Sequence, residues 1–186
     1  MKKQDARVLN TVLVGALAAM VYVVTLFRFP LLGSKVHFAN AVCLLAGMLL
    51  GPNLGGVAAG LGSALYDLTM YNEGMVNLLI TFVSKFAMAW VCGFIMQSAG
   101  KRQHKFDRTV LASVAGALTY VALYMLKTFV YQRFVYGYPL DAVGVTMMSK
   151  LIPSLINAGA AVVAAPLFFH AVRPALRAAG IIHGEV

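Results

Sequence analysis

Apolar residues dominate the chain in long runs, at 8–27, 78–96, 110–125 and 143–169, and polar residues gather between them. The runs approach or exceed the roughly 20 residues that a helix needs to cross a hydrocarbon layer about 30 Å thick. A segment in lipid must satisfy its own backbone hydrogen bonds, so the runs are predicted as helices. The pattern divides the chain into six crossings, at 8–28, 36–50, 53–71, 76–98, 109–134 and 143–172, with no second domain and no fixed-period repeat. The expected fold is all-α, a polytopic membrane protein built as a six-transmembrane-helix bundle, with residues 1–186 as a single integral membrane domain. "GPN" at 51–53 marks a tight, uncharged turn between the second and third crossings.

Inside the last three crossings polar side chains recur with helical spacing. Asn77, Thr81 and Lys85 stand at i, i+4, i+8; Tyr120, Tyr124, Lys127 and Tyr131 at i, i+4, i+7, i+11; Lys150, Ser154 and Asn157 at i, i+4, i+7. Each set lines one face of its helix. At about 1.5 Å of rise per residue, all three stripes run from near the outer surface to about the bilayer midplane. Polar groups are expensive in hydrocarbon and usually face a cavity or one another, so the stripes are expected to converge on one outward-opening ligand pocket. Taken singly, the residues have plainer readings: Lys127 snorkelling to the headgroups, or the tyrosines forming an interfacial belt. Pro153 removes a helical hydrogen bond and frees the Ser149 carbonyl beside Lys150. Asp67, closing the third crossing, is expected to pair with Lys85 across two helices. That would leave Lys127 and Lys150 less compensated and the pocket disposed to an anionic or carbonyl-rich ligand. Lys35 and His37 in the outer link, with Asp67, are candidates for a lid or outer loop, solvated loop positions being the alternative.

The composition agrees with a lipid solvent. Hydrophobic residues make up 61% of the chain and charged residues 11%, and the mean hydropathy is +0.82. A soluble domain carries roughly a quarter charged residues, so a single water-soluble core is excluded. The net charge of +9 raises the question of nucleic acid, and its placement answers it. Lys2, Lys3 and Arg7, then Lys101, Arg102, Lys105 and Arg108, then Arg173 and Arg177 fall at the ends of apolar spans. This is the bias of cytoplasmic loops toward basic residues, so no nucleic-acid partner is expected. Six crossings then place both the N- and C-termini in the cytoplasm of a multi-pass cell-membrane protein. "MKKQDAR" before an apolar run has the polarity of an export signal, but the run is long and "FRFPLLGSK" lacks an A-x-A-like site, so a retained first helix is expected. Cys43 and Cys92 lie apart in apolar spans without CxxC spacing and read as packing residues.

Small residues are concentrated in "GMLLGPNLGGVAAGLGSALYDL" at 47–68. Each glycine costs a helix in water about 1 kcal/mol relative to alanine. In lipid, small residues four apart let helix backbones approach closely. Gly51 and Gly55, Gly56 and Gly60, and Gly60 and Ala64 have that spacing, which serves either internal packing or a surface that meets another protein. Gly15 and Ala19 repeat it in the first crossing. No GxxxxGK[ST], HExxH or CxxC occurs, so no ATPase, dinucleotide, metal or other cofactor site is expected. An intramembrane protease built on Ser63 and His170 would need nucleophile and base at one depth, and the two lie at different depths.

The runs "HFANAVCLLAGMLLGPNLGGVAAGLGSALYDL" (37–68) and "ITFVSKFAMAWVCGFI" (80–95) resemble the membrane-embedded substrate-binding S components of energy-coupling factor (ECF) vitamin transporters. Length and helix number match over essentially the whole chain; the motifs cover about a third. The resemblance implies a six-helix, non-enzymatic subunit that captures a B-vitamin or vitamin precursor from outside the cell. It also implies docking on a separate transmembrane coupling protein carrying two ATP-binding cassette ATPases. In that family a small-residue face of the first helix meets the coupling protein, and Gly15 with Ala19 occupies that place here, Gly15 standing where the first alanine is expected. The competing reading is a self-sufficient small secondary transporter or channel. The tyrosines and Trp90 suit a flat aromatic heterocycle as ligand.

Overall fold

The computed structural model describes residues 3–31, 34–70, 74–98, 100 and 105–180, with the side chains of residues 3–6, 31 and 34–36 outside that description. Five helices carry the fold: α1 (Lys3–Leu26), α2 (Ala39–Met70), α3 (Met75–Ser98), α4 (Phe106–Val130) and α5 (Leu140–Ala178). All five contain stretches long and apolar enough to cross a membrane. Two short strands, β1 (Arg28–Leu31) and β2 (Ser34–His37), link α1 to α2. Glu73 and the basic run at 101–104 lie outside the described residues.

The predicted break at 51–53 falls inside α2. Gly51 has φ 77° and ψ −175°, outside the helical region, and Pro52 follows it. Glycine tolerates that backbone, and proline suits the first turn of a new helical segment. The chain reverses there. A Cβ on Gly55 would lie 2.5 Å from the Ala46 carbonyl oxygen, whereas nine residues of continuous helix would separate the two by about 13 Å. Residues 39–50 and 52–70 therefore lie side by side.

The limb before the reversal is preceded by a strand rather than begun in helix, which corrects the expected start at residue 36 and adds a short hairpin to an otherwise helical fold. β1 and β2 pair antiparallel, with Arg28 opposite His37 and Pro30 opposite Lys35. Pro30 biases Phe29 toward extended backbone, the local reason for a strand here. At the other end of the sequence, α4 closes with a π-helical turn at Tyr131–Val135, and α5 runs past the expected 143–172 while containing Pro153, Pro166 and Pro174.

α2 is the central element, packed on α1, α3 and α5. Its Leu44 and Cys43 meet Met88 and Cys92 of α3, Ala117 of α4 and Ala161 and Phe169 of α5 in one buried cluster. Both cysteines are buried and unbonded to each other. The small residues make this packing possible. A Cβ on Gly47 would collide with the Ala89 carbonyl, and one on Gly93 would lie 2.6 Å from the Pro52 nitrogen. Phe86 lies over Gly56 and Phe82 over Gly60, which fixes α3 antiparallel to the second limb of α2.

Candidate functional site

A cavity of about 720 Å³ opens at the end of the bundle that carries the β-hairpin and the π-helical turn. All ten residues of the three polar stripes line it: Asn77, Thr81 and Lys85 from α3, Tyr120, Tyr124 and Lys127 from α4, Tyr131 from the π turn, and Lys150, Ser154 and Asn157 from α5. His37 and Asp67 line it too. Lys35 sits in β2 opposite Pro30, and its side chain is outside the description. Helical periodicity brings each stripe to one face, and the antiparallel order of α3, α4 and α5 points the three faces at one volume.

The floor of the cavity is a polar network among buried groups. Lys85 is 4% exposed; its Nζ donates to Asn40 Oδ1 and lies 3.8 Å from the centroid of the Tyr120 ring. Asn40, 1% exposed at the start of α2, is thus the acceptor that a buried ammonium requires. The expected pairing of Lys85 with Asp67 does not form. With Phe86 beside Gly56 and Phe82 beside Gly60, Lys85 lies level with residues near 57, so Asp67 is about 15 Å nearer the mouth. A lysine stem cannot span that. Tyr120 stacks on Tyr124 at 6.1 Å with 16° between the ring planes, forming a flat aromatic shelf above Lys85.

The hairpin is tied to this network. The His37 backbone N–H donates to Asn157 Oδ1 at 2.9 Å. Asn157 is about 25 Å along α5 from its Leu140 end, so β2 descends deep into the bundle before α2 begins. That descent accounts for the short first limb of α2.

Nearer the mouth the wall changes character. Lys127 Nζ lies 5.7 Å from the Tyr131 ring, Tyr131 and Tyr136 are 6.4 Å apart, and the Arg28 guanidinium lies 5.3 Å from the Tyr66 ring. The π turn is closed by Tyr136 N–H donating to the Tyr131 carbonyl at 2.9 Å. It turns Tyr131 and Gln132 onto the cavity, the sort of local rewinding often found at functional sites. Gln132 Oε1 and Ser154 Oγ are buried with no hydrogen-bond partner among the described residues. Among the described residues, four basic side chains, Arg28, Lys85, Lys127 and Lys150, line the cavity against the one carboxylate of Asp67.

Sequence reasoning missed Thr25, Arg28, Ser63, Tyr66, Thr128, Gln132 and Tyr136, all of which also line the cavity. Thr25 stands alone in an apolar run, whereas Ser63 and Tyr66 lie at i and i+3 with Asp67 at i+4, a polar face of the third crossing that was a usable signal. Thr128 is one turn from Tyr124 and bonds its carbonyl at 2.9 Å, and this spacing was a usable signal. Trp90 is away from the cavity; its Nε1 donates to Asn53 Oδ1 at 3.1 Å and its ring stacks on Phe94. Ser63 and His170 do not meet. His170 lies against Thr109 and Phe106 at the opposite end, about 20 Å along α5 from Asn157.

Gly15 and Ala19 are exposed on the outer face of α1, and a Cβ on Gly15 would meet nothing within 4 Å.

Helices long and apolar enough to cross a membrane, enclosing a polar chamber, are the arrangement of a multi-pass membrane protein with a small-molecule site. Residues 6–174 match the family model of the ECF-type riboflavin transporter, S component, and the chain belongs to that family. It is thereby a substrate-binding subunit of an ECF transporter in the cell membrane, in a family of transporters rather than enzymes. Comparison with individual curated proteins gives no match.

Proposed function

We propose that the chamber holds a flat heterocyclic vitamin, with riboflavin the first ligand to test, captured from outside the cell and passed inward with a coupling subunit and two ATPases. The observation that carries this is the convergence of ten polar side chains, from α3, α4 with its π turn, and α5, on one cavity. Its volume of about 720 Å³ falls in the range of small-molecule sites. The Tyr120–Tyr124 shelf offers a face for a planar ring, and the excess of basic side chains favours carbonyl or anionic groups on the ligand. The family model's own description names riboflavin, which supports the same choice.

On this reading the two limbs of α2 count as separate passes, giving six in all, and the basic residues at the helix ends favour a cytoplasmic side for both termini. Gly15 and Ala19, exposed and unobstructed, are the face offered to the coupling subunit. Mass spectrometry of the small molecule retained by detergent-purified protein is the direct test, and a heterocyclic vitamin is expected. In liposomes the isolated chain should bind riboflavin without accumulating it until coupling and ATPase subunits are added. Gradient-driven uptake by the chain alone would establish the self-sufficient transporter instead.

A further inference from the structure

The end of the bundle opposite the chamber has a second hollow, of about 350 Å³, lined by His170, Arg173, Pro174 and Arg177 of α5. We infer that it is a binding site for the phosphate headgroup of an anionic phospholipid, whose acyl chains lie along α5. The charge is of one sign: no carboxylate is among the described residues that line it. The basic groups are also positioned. Arg173 lies 5.9 Å from the Phe169 ring, and His170 packs against Phe106 at 5.6 Å with its Nε2 3.4 Å from Thr109 Oγ1. Phe106 opens α4 directly after Lys105, so the hollow lies where apolar helix gives way to basic chain, the depth of lipid headgroups.

The second observation is an apolar track leading to it. Ile156, Val163 and Leu167 are exposed, at 45%, 64% and 54%, and Gly159 between them has nothing within 4 Å of a Cβ position. With spacings of three and four residues they lie on the same helical line as His170 and Arg177. A ligand that fits both parts has a phosphate at one end and hydrocarbon at the other. Clustered basic side chains at a membrane surface attract acidic lipid headgroups, and arginine forks suit phosphate oxygens.

Native mass spectrometry of the purified full chain in a neutral detergent tests the assignment, with dioleoyl-phosphatidylglycerol and dioleoyl-phosphatidylcholine at equal concentration. Phosphatidylglycerol is expected to be retained preferentially, by about fivefold for each arginine. Arg173→Gln with Arg177→Gln should erase the preference, while Arg173→Lys with Arg177→Lys should keep most of it. Circular dichroism checks that the variants keep their helices, and Arg173→Gln alone serves if the double variant does not fold. Equal retention of the two lipids, or a preference unchanged in the glutamine variant, would overturn the site. Displacement of phosphatidylglycerol by millimolar inorganic phosphate would show a free-phosphate site and overturn the lipid assignment.

Discussion

Gly47 in α2 and Gly15 in α1 each have a small residue four positions on, Gly51 and Ala19, and in sequence the two patterns differ little. In the folded chain Gly47 faces the Ala89 carbonyl of α3, with no room for a methyl group, while Gly15 faces open space. The first region is a backbone-to-backbone seam inside the bundle. The second is a smooth strip on its outside. Small-residue spacing therefore reports that close approach is possible and is silent on whether the approaching backbone belongs to the same chain.

Valine at Gly47 or Gly93 is the strongest way to break this contrast. Either is expected to destabilise the fold by about 3 kcal/mol, because the atoms in the way belong to backbone and cannot rotate aside. Gly15→Leu should leave the melting temperature in detergent almost unchanged while reducing co-purification with the coupling subunit. If Gly15→Leu lowers the melting temperature as much as the valine variants do, the α1 strip is internal packing; if none of the three lowers it, the α2–α3 seam is not tight. Asn40→Ala comes next. Removing the acceptor from Lys85 should cost about 2 kcal/mol in thermal unfolding, the range for hydrogen bonds to charged groups. No change would show that the Tyr120 ring suffices. At the chamber, Lys150→Ala and Asn157→Ala should each weaken riboflavin binding by about 1 kcal/mol, read by fluorescence quenching, with membrane insertion intact. Unchanged affinity in both would move the site elsewhere. Trp90→Phe should have the smallest effect: loss of an exposed hydrogen bond to Asn53, under about 1 kcal/mol, with riboflavin affinity preserved. A large loss of affinity would show that the ligand reaches beyond the chamber walls described above.

The stripes of α3, α4 and α5 were legible because a helix repeats every 3.6 residues and lipid makes each polar side chain conspicuous. Asn77, Tyr124 and Ser154 needed no tertiary information to be singled out. Arg28 and His37 were harder, since their link read as a loop and forms a strand pair that enters the bundle. Asn40 was passed over, a polar residue near the start of the expected second crossing with only His37 at helical spacing. It lies three residues from Cys43 at the head of an apolar run, and its role is visible once Lys85 is beside it.

By itself the sequence determined the solvent, the helical class, the break at Gly51 and the helical faces that carry the costly side chains. These are local properties, set by transfer free energies, backbone preferences and periodicity along one segment. The tertiary structure alone decided that Lys85 meets Asn40 rather than Asp67, that the glycines of α2 face inward while Gly15 faces out, and that the hairpin descends to Asn157. Each of those depends on which helices are neighbours and at what relative depth. That register is fixed by packing between segments far apart in the chain, through contacts such as Gly56 with Phe86 and Gly93 with Pro52.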